Sequence, residues 1–361
     1  MKKFLAILLC VCMVVAIVAC NKTPDTQEPN TPDTPATEAE YKLGMGVVVS
    51  MDSSKTGNAQ VDATVATVVT DADGKIVACR IDVAQNKMAV ADGAVNTTLT
   101  FKTKMEKGTE YGMAGKVDND DNGVMKEWDE QTKAFESYVV GKTVAEVEAI
   151  QTQEKKGHQI AVDQALLDAG CSMQITDFIA AVAKACKDEQ GMSFQAKKGS
   201  FTLGVAAKTA VDAATAAATA EADGVVAMYT DFACAVVADG TVIATLNDAI
   251  QPQIKMNAAG EITAKTFTAT KRELKENYNM ATYGANLDPN GDGVVKEWYV
   301  QSEEFSKFVV GKTAAEIAAL ETAANSIGYQ MTTDADLLAA GCTMQITAIK
   351  AVVAQSATNA R

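Results

Sequence analysis

The chain has 361 residues, 46 of them acidic and 32 basic, for a formal net charge of −14 at neutral pH. So acidic a surface repels nucleic acid and anionic lipid headgroups, and both are excluded as partners, whereas cations suit it. With His158 as the only histidine, no Ser-His-Asp or Cys-His constellation can recur along the chain.

Met1-Lys2-Lys3 places positive charge ahead of an apolar run, Phe4 to Val18, that closes on Ala19 and Cys20. The run is shorter than the roughly 20 apolar residues a spanning helix needs, so residues 1–20 read as an export signal. Ile17-Val18-Ala19-Cys20 resembles the bacterial lipobox, which implies cleavage before Cys20 and a lipid on its thiol. The mature protein is then expected at the outer face of the cell membrane, anchored through Cys20. Residues 21–40, NKTPDTQEPNTPDTPATEAE, hold four of the six prolines and almost no large apolar side chain, the composition of an extended, solvated tether. Five cysteines remain beyond it: Cys79, Cys171, Cys186, Cys234 and Cys342. Their odd number and spacing fit neither a disulfide framework nor a zinc site, and they read as small buried apolar residues.

Beyond residue 40 the sequence repeats. Asp73-Gly74 returns as Asp239-Gly240, Tyr111-Gly112-Met113 as Tyr278-Asn279-Met280, and Lys126-Glu127-Trp128 as Lys296-Glu297-Trp298. Val139-Val140-Gly141-Lys142-Thr143 returns as Val309-Val310-Gly311-Lys312-Thr313, and ALLDAGCSMQIT, 165–176, as DLLAAGCTMQIT, 336–347. Two tandem domains are expected, 41–190 and 191–361, each near the commonest domain size. Each opens with alternating runs, Val61 to Val69 and Ile76 to Val83 in the first, around an Asp-Gly hairpin turn. Trp128, Phe135 and Val139 then share one helix face, as do Trp298, Phe305 and Val309. Thr143 with Glu146, and Thr313 with Glu316, make capping boxes for a further short helix, and closing helices are expected over Phe178 to Ala185 and Ile349 to Ala354. The class is α+β, with two repeats that each pack an antiparallel sheet with hairpins against several helices. Gly-Lys-Thr is a helix start here, because the glycine of a phosphate-binding loop is replaced by Glu136 and Ser306.

Two acidic loops, DNDDNG at 118–123 and DPNGDG at 288–293, place oxygen-bearing side chains at alternate positions before glycine, as the first half of an EF-hand calcium loop does. The candidate ligands are Asp118, Asp120, Asn122, Glu127 and Asp129 in one copy, and Asp288, Asn290, Asp292 and Glu297 in the other. The twelfth position is Asp129 or Tyr299 in place of a bidentate Glu, so calcium would bind at the weak extracellular end of the range. Plain Asp/Asn-Gly turns before a helix satisfy the same residues.

Gly341-Cys342-Thr343-Met344, following Leu337-Leu338-Ala339-Ala340, resembles the Ser-Gly-Ala-Thr element of FMN-binding domain proteins. The whole pattern is similar to tandem-repeat surface lipoproteins of Gram-positive bacteria that carry such domains. In that family a flavin transferase joins the threonine hydroxyl to the FMN phosphate. The resemblance places that role on Thr343, with Ser172 as its counterpart, and backbone approach to the phosphate at Gly341 and Gly170. The chain departs from the family in having Ala340 and Ala169 where a hydroxyl residue stands, and Cys342 and Cys171 in place of alanine. Read on its residues alone, the string is a turn whose hydroxyl caps the following helix, with Cys and Met packed beneath. Two functions follow: an anchored flavoprotein that exchanges electrons with redox partners through FMN, or a non-catalytic binding or scaffold lipoprotein with calcium loops and no flavin.

Overall fold

The computed structural model describes residues 37–282, 295–325 and 328–361. In chain order, β1 (Glu38–Ser50), β2 (Asn58–Asp71) and β3 (Ile76–Ala89) precede α1 (Lys104–Lys107), α2 (Trp128–Val139) and α3 (Val144–Glu148). A small hairpin, β4 (Thr152–Lys155) and β5 (His158–Ala161), leads to α4 (Gln164–Asp168) and α5 (Thr176–Cys186). Next come β6 (Met192–Lys197), β7 (Thr202–Val211), β8 (Gly224–Ala238), β9 (Thr241–Ile250), β10 (Gln253–Met256) and β11 (Ile262–Thr266). The chain closes with α6 (Lys271–Leu274), α7 (Trp298–Phe308), α8 (Ala314–Ala318), the hairpin β12 (Thr322–Ala324) and β13 (Gln330–Thr332), α9 (Ala335–Ala339) and α10 (Thr347–Thr358).

The turns form as their residues dictate. Asp239 and Gly240 both take positive φ, +50° and +80°, the two-residue geometry that matches the twist of the β8–β9 hairpin. In the β2–β3 turn, Asp71 Oδ1 accepts from the amides of Asp73 and Lys75. Thr143 and Thr313 accept from the amides of Glu146 and Glu316 and start α3 and α8.

Both large sheets are antiparallel. The first runs β3-β2-β1-β6, and the second β11-β10-β8-β7 with β9 also on β8. Two boundaries differ from the sequence reading. β1 begins at Glu38, inside the stretch read as tether, and β6, read as the opening of the second repeat, pairs with β1 from Glu38↔Lys197 to Leu43↔Met192.

Period-2 alternation gives each sheet two buried faces. Leu43, Val61, Val65 and Met88 point inward and meet Leu203, Met228, Phe232 and Ile254 of the second sheet in one apolar layer. The outer face of the first sheet packs on Phe135, Phe178 and Val182 of α2 and α5, and that of the second on Phe305, Val352 and Val353 of α7 and α10. The order is helices, sheet, sheet, helices. Glycine allows the close packing: a Cβ on Gly46 would sit 2.2 Å from the Ala181 carbonyl oxygen in α5, and one on Gly204 1.9 Å from that of Ser356 in α10.

Each half reaches across to the other in equivalent ways. Lys184 of α5 pairs with Glu273 of α6, and Gln355 of α10 donates to Glu106 of α1 at 2.9 Å. Arg272 of α6 is 6% exposed and pairs with Asp188 at 3.0 Å, while its Nη2 donates to the Gln190 carbonyl at 2.7 Å. At the opposite side Arg361, the last residue, donates to Glu136 of α2 at 3.0 Å.

Candidate functional site

In both halves the repeated GCSMQIT/GCTMQIT string is built into a joint with the stretch Lys-Glu-Trp-x-x-Gln at the head of α2 or α7. Gln131 and Gln301 lie one helical turn into these helices, fully buried. Gln131 Oε1 accepts from the amides of Ser172 and Met173, both at 3.0 Å, and Gln301 Oε1 from those of Thr343 and Met344, both at 2.7 Å. Their Nε2 atoms donate to the carbonyls of Lys126 at 3.0 Å and Lys296 at 2.7 Å. Lys126 Nζ donates to the Ala169 carbonyl and Lys296 Nζ to that of Ala340, each at 2.7 Å. The glutamates complete the joint: Glu127 Oε2 accepts from Met113 N at 2.9 Å and Glu297 Oε2 from Met280 N at 2.8 Å. The lysine, glutamate and glutamine of each Lys-Glu-Trp-x-x-Gln stretch therefore each satisfy backbone groups of the joint.

The hydroxyls do not cap the following helices. Ser172 and Thr343 are 1% and 2% exposed, and their oxygens have no hydrogen-bond partner. α5 and α10 instead start behind Ile175 and Ile346, with no side-chain cap. The helix that is capped is the one before the string, by Asp163 at α4 and Asp334 at α9. Cys171 and Cys342 are fully buried, and burial pushes both thiols up to about 12, so neither supplies a thiolate at neutral pH. Gly170 and Gly341 take φ +85° and +82°, and the space beside their Cα atoms is filled by the stems of Lys126 and Lys296, at 2.7 and 2.8 Å from a built Cβ. As folded, the string offers FMN no cradle: the amides are held by glutamine, the glycine faces are covered by lysine, and the hydroxyls are sealed.

The first acidic loop is closed by its own hydrogen bonds. Asp118 accepts from the amides of Asn122 and Gly123 at 3.2 and 3.0 Å, and Asn122 Nδ2 donates to Asp120 Oδ2 at 2.6 Å. Lys156, from the β4–β5 turn, pairs with Asp121 at 2.6 Å and donates to the Asp118 carbonyl, placing an ammonium against the loop. Glu127 and Asp129 are not brought to it: Glu127 is committed to Met113, and Asp129 pairs with Lys133 at 2.7 Å. Among the described residues no three His, Cys, Asp or Glu side chains converge as a metal group. Asp288, Asn290 and Asp292, like Cys20, lie outside the described residues.

Sequence reasoning passed over Gln131 and Gln301, although the signal was there: KEWDEQ and KEWYVQ keep the glutamine at the same place in both copies. It also gave no sign of two large clefts where the halves meet. One, of about 760 Å³, lies between α5, α6 and the connection at 187–190. The other, of about 790 Å³, lies between β6, β9 and α7.

No family model and no curated protein matches the chain. A solved structure that aligns with it is that of a Bacteroides fragilis protein described as exported and YmcC-like in fold, over 66% of this chain and 97% of that chain, at 11% identity and a TM-score of 0.13. A likeness that low carries no argument.

Proposed function

We propose that this protein is a non-catalytic binding or scaffold lipoprotein at the outer face of the cell membrane, held by a lipid on Cys20, in which the duplicated strings are structural joints. The observation that carries this reading is the glutamine clamp, which commits the amides of Ser172, Met173, Thr343 and Met344 to the fold in both halves. Burial keeps Cys171 and Cys342 as thiols, and the one histidine, His158, is exposed and has no counterpart in the second half. Protein purified from a host able to attach flavin is expected to be colourless and of unmodified mass beyond the lipid. A second reading, covalent FMN on Thr343 with electron transfer to redox partners, is favoured by one observation: the hydroxyls of Ser172 and Thr343, at equivalent places, both lack partners. Attachment there would require the clamp to release the string.

A further inference from the structure

The cleft beside α5 and α6 is lined by charge of both signs over an apolar floor. Its volume, about 760 Å³, falls in the range of small-ligand sites. Met45, Val47, Ile179 and Ala183 form the floor, and four cationic and five carboxylate side chains form the walls. Three exposed ion pairs rim it: Lys184 with Glu273, Lys187 with Glu148, and Lys275 with Glu189 at 3.8 Å. Exposed pairs of this kind are weakly held, so a ligand that brings one charge of each sign can exchange with them without leaving either partner uncompensated.

Apart from Glu273, which like Glu106 closes the capping box of its short helix, these charges are not shared by the equivalent place at the other junction. There Gln355 meets Glu106 in the place of Lys184 and Glu273. By the register of the repeat, Glu148, Lys187 and Glu189 correspond to Ala318, Thr358 and Ala360, and Arg272 and Lys275 to Met105 and Gly108. The last substitution is against the grain of the backbone. Gly108 has φ +46° and ψ −124°, and Lys275 holds the same conformation, φ +50° and ψ −123°, a region that favours glycine. A lysine has been set at the mouth of the cleft where its own copy uses glycine, and strained non-glycine residues gather at functional sites.

From this juxtaposition we infer that the cleft binds a short zwitterionic peptide with an aliphatic side chain. The peptide carboxylate meets Lys275 and Lys187, its ammonium meets Glu148 and Glu189, and its side chain lies on Met45, Val47 and Ile179. A near-balanced wall disfavours simple anions and simple cations alike. The inference rests on the non-catalytic binding reading and names its ligand class.

The test is a calorimetric titration of the full-length chain in detergent with the tripeptide Ala-Leu-Ala and with its N-acetyl, C-amide form. The free tripeptide is expected to bind saturably and the capped form about tenfold or more weaker. Lys275→Gly relieves the backbone and removes one charge, so it is expected to melt no lower than the parent and to bind the free tripeptide about fivefold weaker. Equal affinity for both peptides, no saturable binding of the free one, or undiminished binding by Lys275→Gly overturns the inference. A yellow sample overturns the non-catalytic reading instead, whereas a colourless sample that ignores the tripeptide leaves that reading standing and removes the cleft.

Discussion

Replacing Gln301 with alanine removes three hydrogen bonds to backbone groups at one stroke. Two are amide donors, Thr343 and Met344 at 2.7 Å, and one is the Lys296 carbonyl, also at 2.7 Å. The two amides stay buried, and an unsatisfied buried group costs about 1–3 kcal/mol. A water molecule in the space left by the amide recovers part of this, because the site is polar and offers it two donors and one acceptor. The net loss is about 3–4 kcal/mol, which for a fold of this size lowers Tm by roughly 4–6 °C. Gln301→Met keeps most of the volume and none of the bonds, so it should lose nearly as much; a loss of packing alone would leave it close to the parent. Urea unfolding read at unchanged m separates the two, and hydrogen exchange at Thr343 and Met344 reports the amides directly. Gln131→Ala serves as an internal repeat, with its two acceptor bonds at 3.0 Å. If Gln301→Ala and Gln301→Met both unfold within about 1 kcal/mol of the parent, the string is not held by this clamp.

Asp82, 3% exposed, is held by the amides of Val83 and Met105, and burial pushes its carboxyl from 3.8 up to about 6. The folded state therefore keeps its proton to higher pH than the unfolded one, and this group's contribution to stability is full below pH 4 and falls by about 3 kcal/mol as pH rises through 6. Asp82→Asn should flatten that fall in urea midpoints taken between pH 4 and 7; an unchanged slope would assign it to other groups. Gly46→Ala should cost about 2–4 kcal/mol, since its methyl meets the Ala181 carbonyl oxygen at 2.2 Å; a melting point equal to the parent's would mean that α5 can move off the sheet freely. Cys20→Ala should release the protein from membranes or stall its processing, and a variant that fractionates with membranes as the parent does would remove the anchor.

Local rules made the secondary structure legible. Asp239-Gly240 fixes a hairpin, Thr143 and Thr313 start helices, and the Trp–Phe–Val spacing marks α2 and α7, because each is decided by residues within one turn or strand. The pairing of β6 with β1 was not legible. Met192 to Lys197 alternates like any strand, and its partner lies some 150 residues earlier. The shared layer between the sheets was hidden for the same reason: Val61 or Met228 reads as inward-facing without saying which sheet it meets. At the string, the resemblance to a flavin-attachment element points to a ligand, and repetition alone does not decide between a ligand and a joint. The paired partners Gln131 and Gln301 explain it as well, since a joint used twice keeps its residues twice. The charge asymmetry around Lys275 emerges only when the fold shows which copies of α5 and α6 face each other.

On the function proposed above, the duplicated string is a structural joint and carries no flavin. The most direct measurement is the absorption spectrum and intact mass of the full-length protein purified from a host able to attach flavin, alongside Thr343→Ala and Ser172→Ala. A colourless parent whose mass shows only the lipid on Cys20, matched by both variants, is the predicted result. A yellow band that survives denaturation in the parent and disappears in Thr343→Ala would contradict it.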